Sequence, residues 1–430
     1  MANICVVGTG YVGLSCGACL STLGHNVVCV DIDQAKIDSL SAGVIPIFEV
    51  DLESIVAQGI KDERISFTTE LGRALKSAEF VFLCLPTPQA DDGTADLSYL
   101  MAAVREISAL VQPGSIVITK STVPIGTFAE IEKTLNRADV YLASNPEFVR
   151  EGSAVFDFLN PDRIVVGSNS LEVSKRVALI YEKLAATLVM TDPASAETIK
   201  HASNSFLALK LSYINAVSII CELYGADILD VSKGIGLDNR IGSGFLQPGP
   251  GWGGSCFPKD TSALLRMAES KGYNFGLLNE AVAVNMDVQD RIVENVRLML
   301  GGSLEGKRIA AWGLTFKAKT DDLRDSPAIK IVQMLLSAGA NVTCYDPTVK
   351  DIPSLINRAQ LALSPEASCE SAELLVVLTE WNEFKSVNPI DIYGRMSAAS
   401  VFDCRNILPD QSWLAAGFVF QGIGRKNLTY

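Results

Sequence analysis

The sequence predicts an α/β protein in which a central long-helix segment joins two doubly wound, Rossmann-like domains. Short runs rich in Val and Ile alternate with helical stretches in the first third of the chain and again in the last third. Buried parallel strands give such continuous apolar runs because helices cover both faces of the sheet. Between these parts, residues 194–224 have helical composition and contain neither Gly nor Pro. We therefore expect an N-terminal domain at 1–195, a central helical domain at 196–300 and a C-terminal domain at 301–430.

The first third shows the alternation in detail. A helical stretch at 13–23 follows the first apolar run, and the predicted strands lie at 3–7, 26–31, 80–85, 115–120, 140–144 and 163–167. The central part continues from its long helix into a loop rich in Gly and Pro at 242–258. More helix is expected from Asp260 to about Leu300.

The last third repeats the pattern after a hinge at Gly301-Gly302-Ser303. Predicted strands lie at 308–312, 342–345, 374–378 and 400–403, and a predicted helix lies at 328–338. These elements are the basis for the second, smaller α/β domain.

Composition limits the classes of function. The chain has 430 residues, with 36 Lys and Arg against 49 Asp and Glu, which gives a formal charge of −13. This acidic balance argues against a nucleic-acid partner or an anionic membrane surface. The two histidines, His25 and His201, are too few for a metal site built on several His ligands, and we expect no metal. Catalysis then falls to Lys, Asp, Glu, Thr or Cys.

Ten cysteines are scattered along the chain, and most lie in apolar runs such as Val28-Cys29-Val30, which is typical of buried, reduced thiols. Cys16 and Cys19 form a CxxC inside a predicted helix, where we interpret them as packing residues. The N-terminus begins a strand without a basic leader, and polar residues interrupt every apolar stretch of about 18 residues. These features favour a cytoplasmic protein.

The motif Gly8-Thr9-Gly10-Tyr11-Val12-Gly13 has GxGxxG spacing between a predicted strand and a predicted helix. Its glycines permit a tight turn, a close approach of a pyrophosphate to the backbone, and close packing of helix on strand. Asp31 ends the second strand, where a carboxylate binds an adenosine ribose and repels a 2′-phosphate. The motif predicts NAD binding; the alternative is a Gly-rich turn that binds nothing.

Two further groups carry reactive side chains. Cys256, in Gly253-Gly254-Ser255-Cys256-Phe257-Pro258-Lys259-Asp260, lies in a polar loop next to a cation and a predicted helix start, both of which favour a thiolate. The alternative is an accidental loop cysteine. Lys200 and Asn204 share one helix face, as a site or as a solvated stripe. His201 points elsewhere and is interpreted as structural.

Three loops follow predicted strands at the edge where doubly wound sheets bind ligands. They are Leu85-Pro86-Thr87-Pro88, the loop from Lys120 to Pro124, and the loop from Asn145 to Gly152. The alternative for each is an ordinary turn with a Ser or Thr that caps the following helix.

Taken together, these motifs resemble the nucleotide-sugar dehydrogenases. GxGYVG, STVPxGT, NPEFxxEG, the Lys-x3-Asn helix, GGSCFPKD and the stretch from Phe316-Lys317 to Arg324 occur in that family's order and cover essentially the whole chain. The resemblance implies an NAD-binding Rossmann domain, a central segment that forms a homodimer and carries the catalytic Cys loop, and a C-terminal domain for the UDP-sugar.

The resemblance also implies the reaction. The family oxidises C6 of a hexose from alcohol to carboxylate with two NAD, and a Cys thiolate forms a thiohemiacetal and then a thioester. The implied catalytic residues are Cys256 as nucleophile, Lys200 with Asn204 at the oxyanion, Asp260 for proton transfer, and Glu147 and Thr122 at the hydrolytic water.

The family's binding positions also map onto this sequence. Those for NAD are Gly8, Gly10, Tyr11, Val12, Gly13, Asp31, Lys36, Pro86, Thr87, Thr122, Glu151, Lys259 and Arg324. Those for the sugar nucleotide are Phe148, Val149, Arg150, Glu151, Lys200, Asn204, Arg240, Phe245, Leu246, Gln247, Pro248, Gly249, Gly253, Phe316, Lys317 and Arg405. Arg240 matches a position that reaches the substrate of the other protomer.

Ser255 and Phe257 favour UDP-glucose as substrate and UDP-glucuronate as product, whereas GDP-mannose relatives usually have Leu in place of Phe257. Trp252 stands where Phe or Tyr is common. The alternatives are a GDP-mannose or other nucleotide-sugar 6-dehydrogenase, a non-catalytic sensor that keeps the fold, and a two-electron dehydrogenase, which would leave the Cys256 motif unexplained.

Overall fold

The structure, a computed structural model, describes residues 1–352 and 359–426. These residues form two compact units, each described by itself. Unit 1 comprises Met1–Ser203 and Ser262–Tyr273, and unit 2 comprises Asn204–Thr261 and the described part of Asn274–Tyr430. The division into three domains at 195 and 300 stays a prediction.

Unit 1 contains an eight-stranded sheet of order β3-β2-β1-β4-β5-β6-β7-β8. The pairs are parallel except β6–β7, which meet antiparallel at Ser144 and Gly167. Its elements are β1 (Asn3–Val7), α1 (Tyr11–Thr22), β2 (Asn26–Val30), α2 (Gln34–Ser41), α3 (Leu52–Lys61), β3 (Ile65–Thr68), α4 (Leu71–Leu75), β4 (Phe80–Leu83), α5 (Ser98–Leu110), β5 (Ile116–Thr119), α6 (Thr127–Leu135), β6 (Tyr141–Ser144), α7 (Ala154–Leu159), β7 (Arg163–Gly167), α8 (Leu171–Leu179) and β8 (Thr187–Thr191).

Both faces of this sheet are covered, as the apolar runs predict. Along β1, Ile4 and Val6 enter one hydrophobic core, while Cys5 and Val7 enter the other. Successive side chains of a strand point to opposite faces, so a strand buried on both sides must be apolar at every position. The predicted doubly wound α/β class is confirmed.

The central helices are α9 (Pro193–Tyr224), α10 (Ile228–Gly236), α11 (Phe257–Ser270) and α12 (Gly276–Met299). The predicted long helix is confirmed as α9. Its length and apolar composition would suit a membrane span, a property that core helices of soluble proteins share. α9 buries Lys200, Asn204 and Asn215, and these polar side chains have hydrogen-bond partners within the protein, as in a core helix.

The helical stretch predicted from Asp260 to about Leu300 is helical and consists of two helices, α11 and α12. Gly272 adopts a positive φ of 75° and ends α11, with its N–H donating to the carbonyl of Glu269 and the N–H of Tyr273 donating to that of Ala268. A left-handed glycine is a common helix terminator. The start is also earlier than predicted, at Phe257, with Pro258 in the first turn, where its missing N–H costs nothing.

Unit 2 contains a six-stranded parallel sheet of order β11-β10-β9-β12-β13-β14. Its elements are β9 (Arg308–Trp312), α13 (Pro327–Ser337), β10 (Asn341–Tyr345), β11 (Ala359–Leu361), α14 (Pro365–Ser368), β12 (Leu374–Val377), α15 (Asn382–Lys385), α16 (Pro389–Tyr393), β13 (Ser400–Asp403), α17 (Asp410–Ala415) and β14 (Val419–Gly422). The order matches that of the first six strands in unit 1, so the second Rossmann-like domain is confirmed.

The two sheets share their first turn but differ in the segment after that turn. Gly8 and Gly313 both have positive φ, and their N–H groups donate to the carbonyls of Val30 and Tyr345 at the end of the neighbouring strand. In unit 1, α1 begins three residues after this glycine; in unit 2, α13 begins at Pro327. A helix N-terminus close to the turn, as dinucleotide phosphates require, is therefore a property of unit 1.

Asp346 organises the corresponding turn in unit 2. Its buried carboxylate accepts hydrogen bonds from the N–H of Leu314 (2.8 Å) and Thr315 (3.1 Å), from the Thr315 hydroxyl, and from the Trp381 indole. Buried donors that lose their acceptor cost about 1–3 kcal/mol each. This carboxylate therefore holds the segment after β9 in place.

We predict that Asp346→Ala lowers the free energy of unfolding of unit 2 by about 3 kcal/mol or more, because several buried donors lose one acceptor. All four tryptophans lie in unit 2, so their fluorescence in urea reports on this unit. The exposed Asp321 provides the control Asp321→Ala, which should leave the transition in place. Equal midpoints for the two variants would contradict this role.

Candidate active site

The glycine-rich turn of unit 1 has the shape of a phosphate site. A Cβ at Gly13 would lie 1.9 Å from the carbonyl oxygen of Gly8, and one at Gly8 would lie 2.5 Å from that of Cys84. These two glycines are required by packing. A Cβ at Gly10, by contrast, would meet nothing within 4 Å. Gly10 thus precedes α1 with its backbone facing open space, where a pyrophosphate can approach the helix N-terminus.

Asp31 is held ready as an ionised acceptor at the end of β2. One carboxylate oxygen accepts from the N–H (2.9 Å) and the hydroxyl (2.6 Å) of Thr9, and from Nζ of Lys36 (3.1 Å). Partial burial raises the pKa of Asp31. The hydrogen bonds from Thr9, from Lys36 and from the N–H of Asp33 outweigh this effect and lower the pKa to about 2. A charged carboxylate here suits ribose hydroxyls and repels a 2′-phosphate, so the residues fit NAD.

Tyr11 and Glu49 hold the loop that contains Arg150 and Glu151. The N–H of Gly152 donates to the Tyr11 hydroxyl (2.6 Å) and to Glu49 (2.8 Å), whose other oxygen accepts from Ala154 (2.8 Å). Glu49 was missed from the sequence, where it is one acidic residue in an irregular stretch. Of the remaining predicted residues here, Val12 and Val149 pack against the core, and Arg150 pairs with Asp157.

The loops after β4 and β5 are joined to each other. The Thr87 hydroxyl donates to the carbonyl of Thr122 (2.8 Å), next to the exposed Pro86. The Thr122 loop is also fixed from α9. Buried Glu197 accepts from the N–H groups of Gly126 (2.6 Å) and Phe128 (2.8 Å), and burial raises the pKa of its carboxyl.

His201 completes this connection, because its Nε2 lies 2.8 Å from the carbonyl oxygen of Val123. The contact is structural, as the sequence interpretation held. Glu197 was missed from the sequence. Its position three residues before Lys200, one helical turn away, was the signal that could have found it.

Lys200 and Glu147 form a buried ion pair in unit 1. Their Nζ and Oε1 atoms are 2.8 Å apart, with side chains 5% and 7% exposed. The other Glu147 oxygen accepts from the N–H of Val149. The Phe148 ring lies 5.5 Å from the Lys200 ammonium and 3.8 Å from the guanidinium of Arg163. Arg163, which sequence reasoning took only as part of a strand, therefore lies over the same ring that Lys200 approaches.

A second buried lysine supports the Glu147 loop. Lys120 follows β5 and donates to the side-chain oxygen of Asn145 (3.1 Å), which also accepts from the Tyr181 hydroxyl (2.6 Å). Its ammonium lies 5.9 Å from the Phe158 ring centroid and 5.7 Å from that of Tyr181. Burial lowers the pKa of Lys120. Because Asn145 lies two residues before Glu147, this network fixes where Glu147 leaves β6.

Cys256 differs from the other nine cysteines, which are buried, in being partly accessible. Burial raises the pKa of Cys5, Cys344 and Cys369 to about 12, as expected for inert packing thiols. Cys256 instead immediately precedes α11, and its carbonyl accepts the N–H of Asp260 (2.9 Å). The N-terminal position favours a thiolate, because the helix dipole and the N–H groups of the first turn stabilise negative charge.

Asp260 lies one turn further along α11 and is 1% exposed. Its carboxylate accepts from the Asn204 amide (2.5 Å) and from Nζ of Lys259 (2.6 Å). Asn204 and Lys200 are one turn apart on α9, and both are buried. This burial excludes a solvated stripe as the explanation for the pair.

Several predicted substrate residues converge in unit 2. The Arg405 guanidinium donates to the carbonyl of Phe316 (3.2 Å) and lies 3.0 Å from where a Gly249 Cβ would be. Nζ of Lys317 lies 5.5 Å from the Phe316 ring centroid. Gly253 has no space for a Cβ, which would stand 2.0 Å from the carbonyl oxygen of Asp325.

Other predicted residues are placed differently. Leu246 sends its side chain into a small hydrophobic core, Pro248 is buried, and Gln247 is exposed. Phe245 has a positive φ of 62°, which is strained for a bulky residue.

Two predicted arginines pair locally. Arg324 pairs with Asp322 (2.8 Å), and Arg240, with a side chain 89% exposed, pairs with Asp238 (2.6 Å). No described contact joins Arg240 to the other predicted site residues. Within 1–352 and 359–426, no group of three or more His, Cys, Asp or Glu side chains could hold a metal ion.

A dinucleotide turn with an ionised Asp31, a buried Lys–Glu pair and an accessible thiol at a helix N-terminus define a dinucleotide-dependent oxidoreductase. Comparison with known sequences narrows the class. Models of the UDP-glucose/GDP-mannose dehydrogenase family match at residues 2–185 (NAD binding domain), 194–287 (central domain) and 310–410 (UDP binding domain).

Individual relatives agree. The UDP-glucose 6-dehydrogenase of Rhizobium meliloti is 44% identical, with 99% of this chain and 100% of that protein covered. The UDP-glucose 6-dehydrogenase TuaD of Bacillus subtilis is 39% identical, with 99% and 94% covered. A solved UDP-glucose dehydrogenase from Pyrobaculum islandicum is 32% identical, has a TM-score of 0.91, and covers 99% of this chain and 98% of its own. The chain belongs to the UDP-glucose/GDP-mannose dehydrogenase family, and NAD is its cofactor.

We predict that Gly10→Ala raises the dissociation constant for NAD at least about tenfold, a change of about 1.4 kcal/mol, while the fold persists. Its φ of −69° suits alanine, and the added methyl group enters only the space that the phosphates approach. Isothermal titration calorimetry with NAD measures this.

Gly13→Ala is the comparison, because its methyl group would collide with Gly8 and should lower the melting temperature instead. Wild-type NAD affinity in Gly10→Ala would show that the phosphates do not approach this backbone.

Proposed function

We propose that this protein is an NAD-dependent UDP-glucose 6-dehydrogenase that oxidises C6 of the glucose in UDP-glucose from alcohol to carboxylate, giving UDP-glucuronate. Relatives that carry this name are 38–44% identical over nearly the full length. The observation that carries the four-electron reaction is the position of Cys256, a partly accessible thiol at the start of α11 in a chain whose other thiols are buried. A two-electron dehydrogenase needs no such thiol.

The second oxidation sets the chemical requirement, because an aldehyde has no suitable C6–H bond to give up until a nucleophile adds to its carbonyl. The Cys256 thiolate attacks C6, a C–S bond forms, and the carbonyl oxygen takes a proton. NAD, when bound at the Gly8–Gly13 turn and Asp31, would supply the acceptor for the hydride that leaves C6 in each oxidation. Loss of the second hydride and of the hydroxyl proton leaves a thioester. Water then adds to C6, the C–S bond breaks, and the carboxylate and the thiol are released.

Lys200 supplies the positive charge for the oxygen on C6. Negative charge develops on this oxygen when the alcohol loses its proton and when a nucleophile adds to the carbonyl. The ammonium is already fixed by Glu147 at 2.8 Å, so little reorganisation is needed when the charge develops. Asn204, one turn along the same face of α9, donates a hydrogen bond to Asp260 and orients this carboxylate.

The two carboxylates have separate roles in the proposal. Asp260 takes up and returns protons through a water molecule, next to the Cys256 helix start. Glu147, with Thr122, orients and deprotonates the water that hydrolyses the thioester.

A GDP-mannose 6-dehydrogenase is the alternative within the family. Relatives named UDP-glucose 6-dehydrogenase are 38–44% identical over nearly the full length, so UDP-glucose is the better-supported substrate. An assay of both nucleotide sugars side by side separates the two.

The proposed reaction predicts two NADH per UDP-glucose consumed, measured by absorbance against quantified UDP-glucuronate. Cys256→Ser should lose about 10³-fold or more in turnover, since an unactivated hydroxyl is a much weaker nucleophile than a thiolate, while UDP-glucose still binds. Cys221→Ser, at a buried thiol, is the control and should keep the stoichiometry. One NADH per sugar with released aldehyde, or wild-type turnover in Cys256→Ser, would rule out the thioester route.

The proposal extends to a cytoplasmic homodimer formed through α9. Phe206, Tyr213 and Ile220 recur every seven residues along α9 and are 61%, 59% and 53% exposed. Leu223 and Tyr224, at 73% and 86%, extend this stripe at the end of the helix. Seven-residue spacing places side chains on one face, the pattern by which helices pair, and exposed apolar stripes mark interfaces. In such a dimer the exposed Arg240 contacts the substrate that is bound to the partner subunit.

Ile220→Glu should convert the dimer to a monomer, because a desolvated carboxylate would face an apolar surface. Light scattering coupled to gel filtration measures the mass. Leu171→Glu, at a comparably exposed leucine on α8, is the control and should stay dimeric. A dimer that survives Ile220→Glu together with Tyr213→Glu would place the interface elsewhere.

A further inference from the structure

Three buried polar side chains hold the segment that leads to Cys256. The N–H of Gly249 donates to the Asn215 side-chain oxygen (2.9 Å), and the Trp252 indole N–H donates to the Ser212 hydroxyl (2.9 Å). Asn285 binds the backbone of Trp252 twice, accepting from its N–H (2.7 Å) and donating to its carbonyl (3.0 Å). We call Ser212, Asn285 and Trp252 the Trp252 clamp.

The clamp is buried, and its polar groups have hydrogen-bond partners within the protein. Ser212, Trp252 and Asn285 are 3%, 6% and 7% exposed. The Ser212 hydroxyl accepts from the indole and donates to the carbonyl of Ala281 on α12 (2.6 Å), so it connects α9, the loop and α12. Each buried group that lost its partner would cost about 1–3 kcal/mol. The position of Trp252 is therefore tightly fixed.

The clamp reaches Cys256 through an aromatic contact. The Trp252 and Phe257 rings meet edge to face at 79°, with centroids 6.3 Å apart. Phe257 is the first residue of α11 and follows Cys256 directly. From the other side, the N–H of Gly254 donates to the Arg324 carbonyl (3.1 Å). The Cys256 loop is thus held at Trp252, at Gly254 and at Phe257.

We propose that Ser212, Trp252 and Asn285 are positioning residues that aim the Cys256 thiol at C6 of the substrate. This inference rests on the proposed function, in which Cys256 is the nucleophile. In that function the first oxidation needs no bond to the thiol, whereas the second begins with one. A misplacement of about 1 Å in an attacking atom can cost 10²-fold in rate. Loosening the clamp therefore slows the second hydride transfer and spares the first.

Two conservative variants remove the same hydrogen bond from opposite ends. Ser212→Ala leaves the buried indole N–H without its acceptor, whereas Trp252→Phe removes the donor and leaves the Ser212–Ala281 bond in place. A buried donor that has lost its acceptor costs more free energy than the removal of both partners. Ser212→Ala should therefore have the larger effect, and Trp252→Phe in the Ser212→Ala background should restore part of the second oxidation rate. Asn285→Ala removes both backbone bonds.

Ser218→Ala is the matched control. Ser218 is buried on the same helix, but its hydroxyl donates to the carbonyl of Asn215 within α9 and does not reach the loop. It loses the same atom as Ser212→Ala, so it reports the cost of a buried hydroxyl without the clamp.

The experiment is a single-turnover chemical quench with UDP-glucose and NAD in which substrate, trapped aldehyde and UDP-glucuronate are quantified over time. Alkylation of Cys256 by iodoacetamide is followed in parallel. Ser212→Ala and Asn285→Ala should lower the second oxidation rate at least roughly tenfold and accumulate aldehyde, with the first rate and the KM for UDP-glucose within about twofold of wild type. Their alkylation rates should also change, whereas Ser218→Ala should match wild type throughout.

The inference is overturned if Ser212→Ala and Asn285→Ala keep the wild-type second rate, or if both oxidation rates fall equally, as a general loss of structure would produce. If Asn285→Ala does not fold, Trp252→Phe, which keeps an aromatic ring against Phe257, replaces it in the test. The same assay on Cys256→Ser distinguishes a failure of the proposed function from a failure of the clamp. If that variant forms UDP-glucuronate at the wild-type rate, the proposed function fails; if it does not and the clamp variants behave as wild type, only the clamp fails.

Discussion

The site depends on one constraint, that every polar side chain buried by α9 must find a partner. Four such residues lie within two turns of α9: Glu197, Lys200, His201 and Asn204. In unit 1, Glu197, Lys200 and His201 bind the start of α6, Glu147 and the carbonyl of Val123. In unit 2, Asn204 binds Asp260. An unpartnered charge or amide in such a place would cost several kcal/mol, so within each unit the helix and the segments that it binds fix one another.

Burial also separates reactive from inert groups of the same type. Nine thiols lie in the cores, where burial raises the pKa of Cys5, Cys344 and Cys369 among others, and Cys256 lies at the beginning of α11, where negative charge is stabilised. The carboxylates divide similarly. Asp31, held by Thr9 and Lys36, has its pKa lowered to about 2, whereas burial raises the pKa of Glu197, whose partners are backbone N–H groups. One acid is suited to binding a ligand, and the other to holding a loop.

Much of the fold could be predicted because its signals are local. The apolar runs of β1, β4 and β5, the GxGxxG turn and the unbroken composition of α9 each lie within one segment. The break between α11 and α12 was missed because one glycine, Gly272, decides it against a strong helical pattern. Strand β8, which has mostly exposed side chains, gives no buried-strand pattern. Glu49 and Asn285 could not be found, since their partners lie 33 or more residues away.

The central claim is that C6 becomes bonded to the sulfur of Cys256. The direct measurement is mass spectrometry of the protein after acid quench during turnover of UDP-glucose with NAD, in Glu147→Gln, where slower hydrolysis should preserve the thioester. The account predicts an adduct with the mass of the UDP-glucuronoyl group on the peptide that contains Cys256, absent without NAD and lost in Cys256→Ser. Formation of UDP-glucuronate with no adduct at any time, or an adduct on one of the other nine thiols, would contradict it.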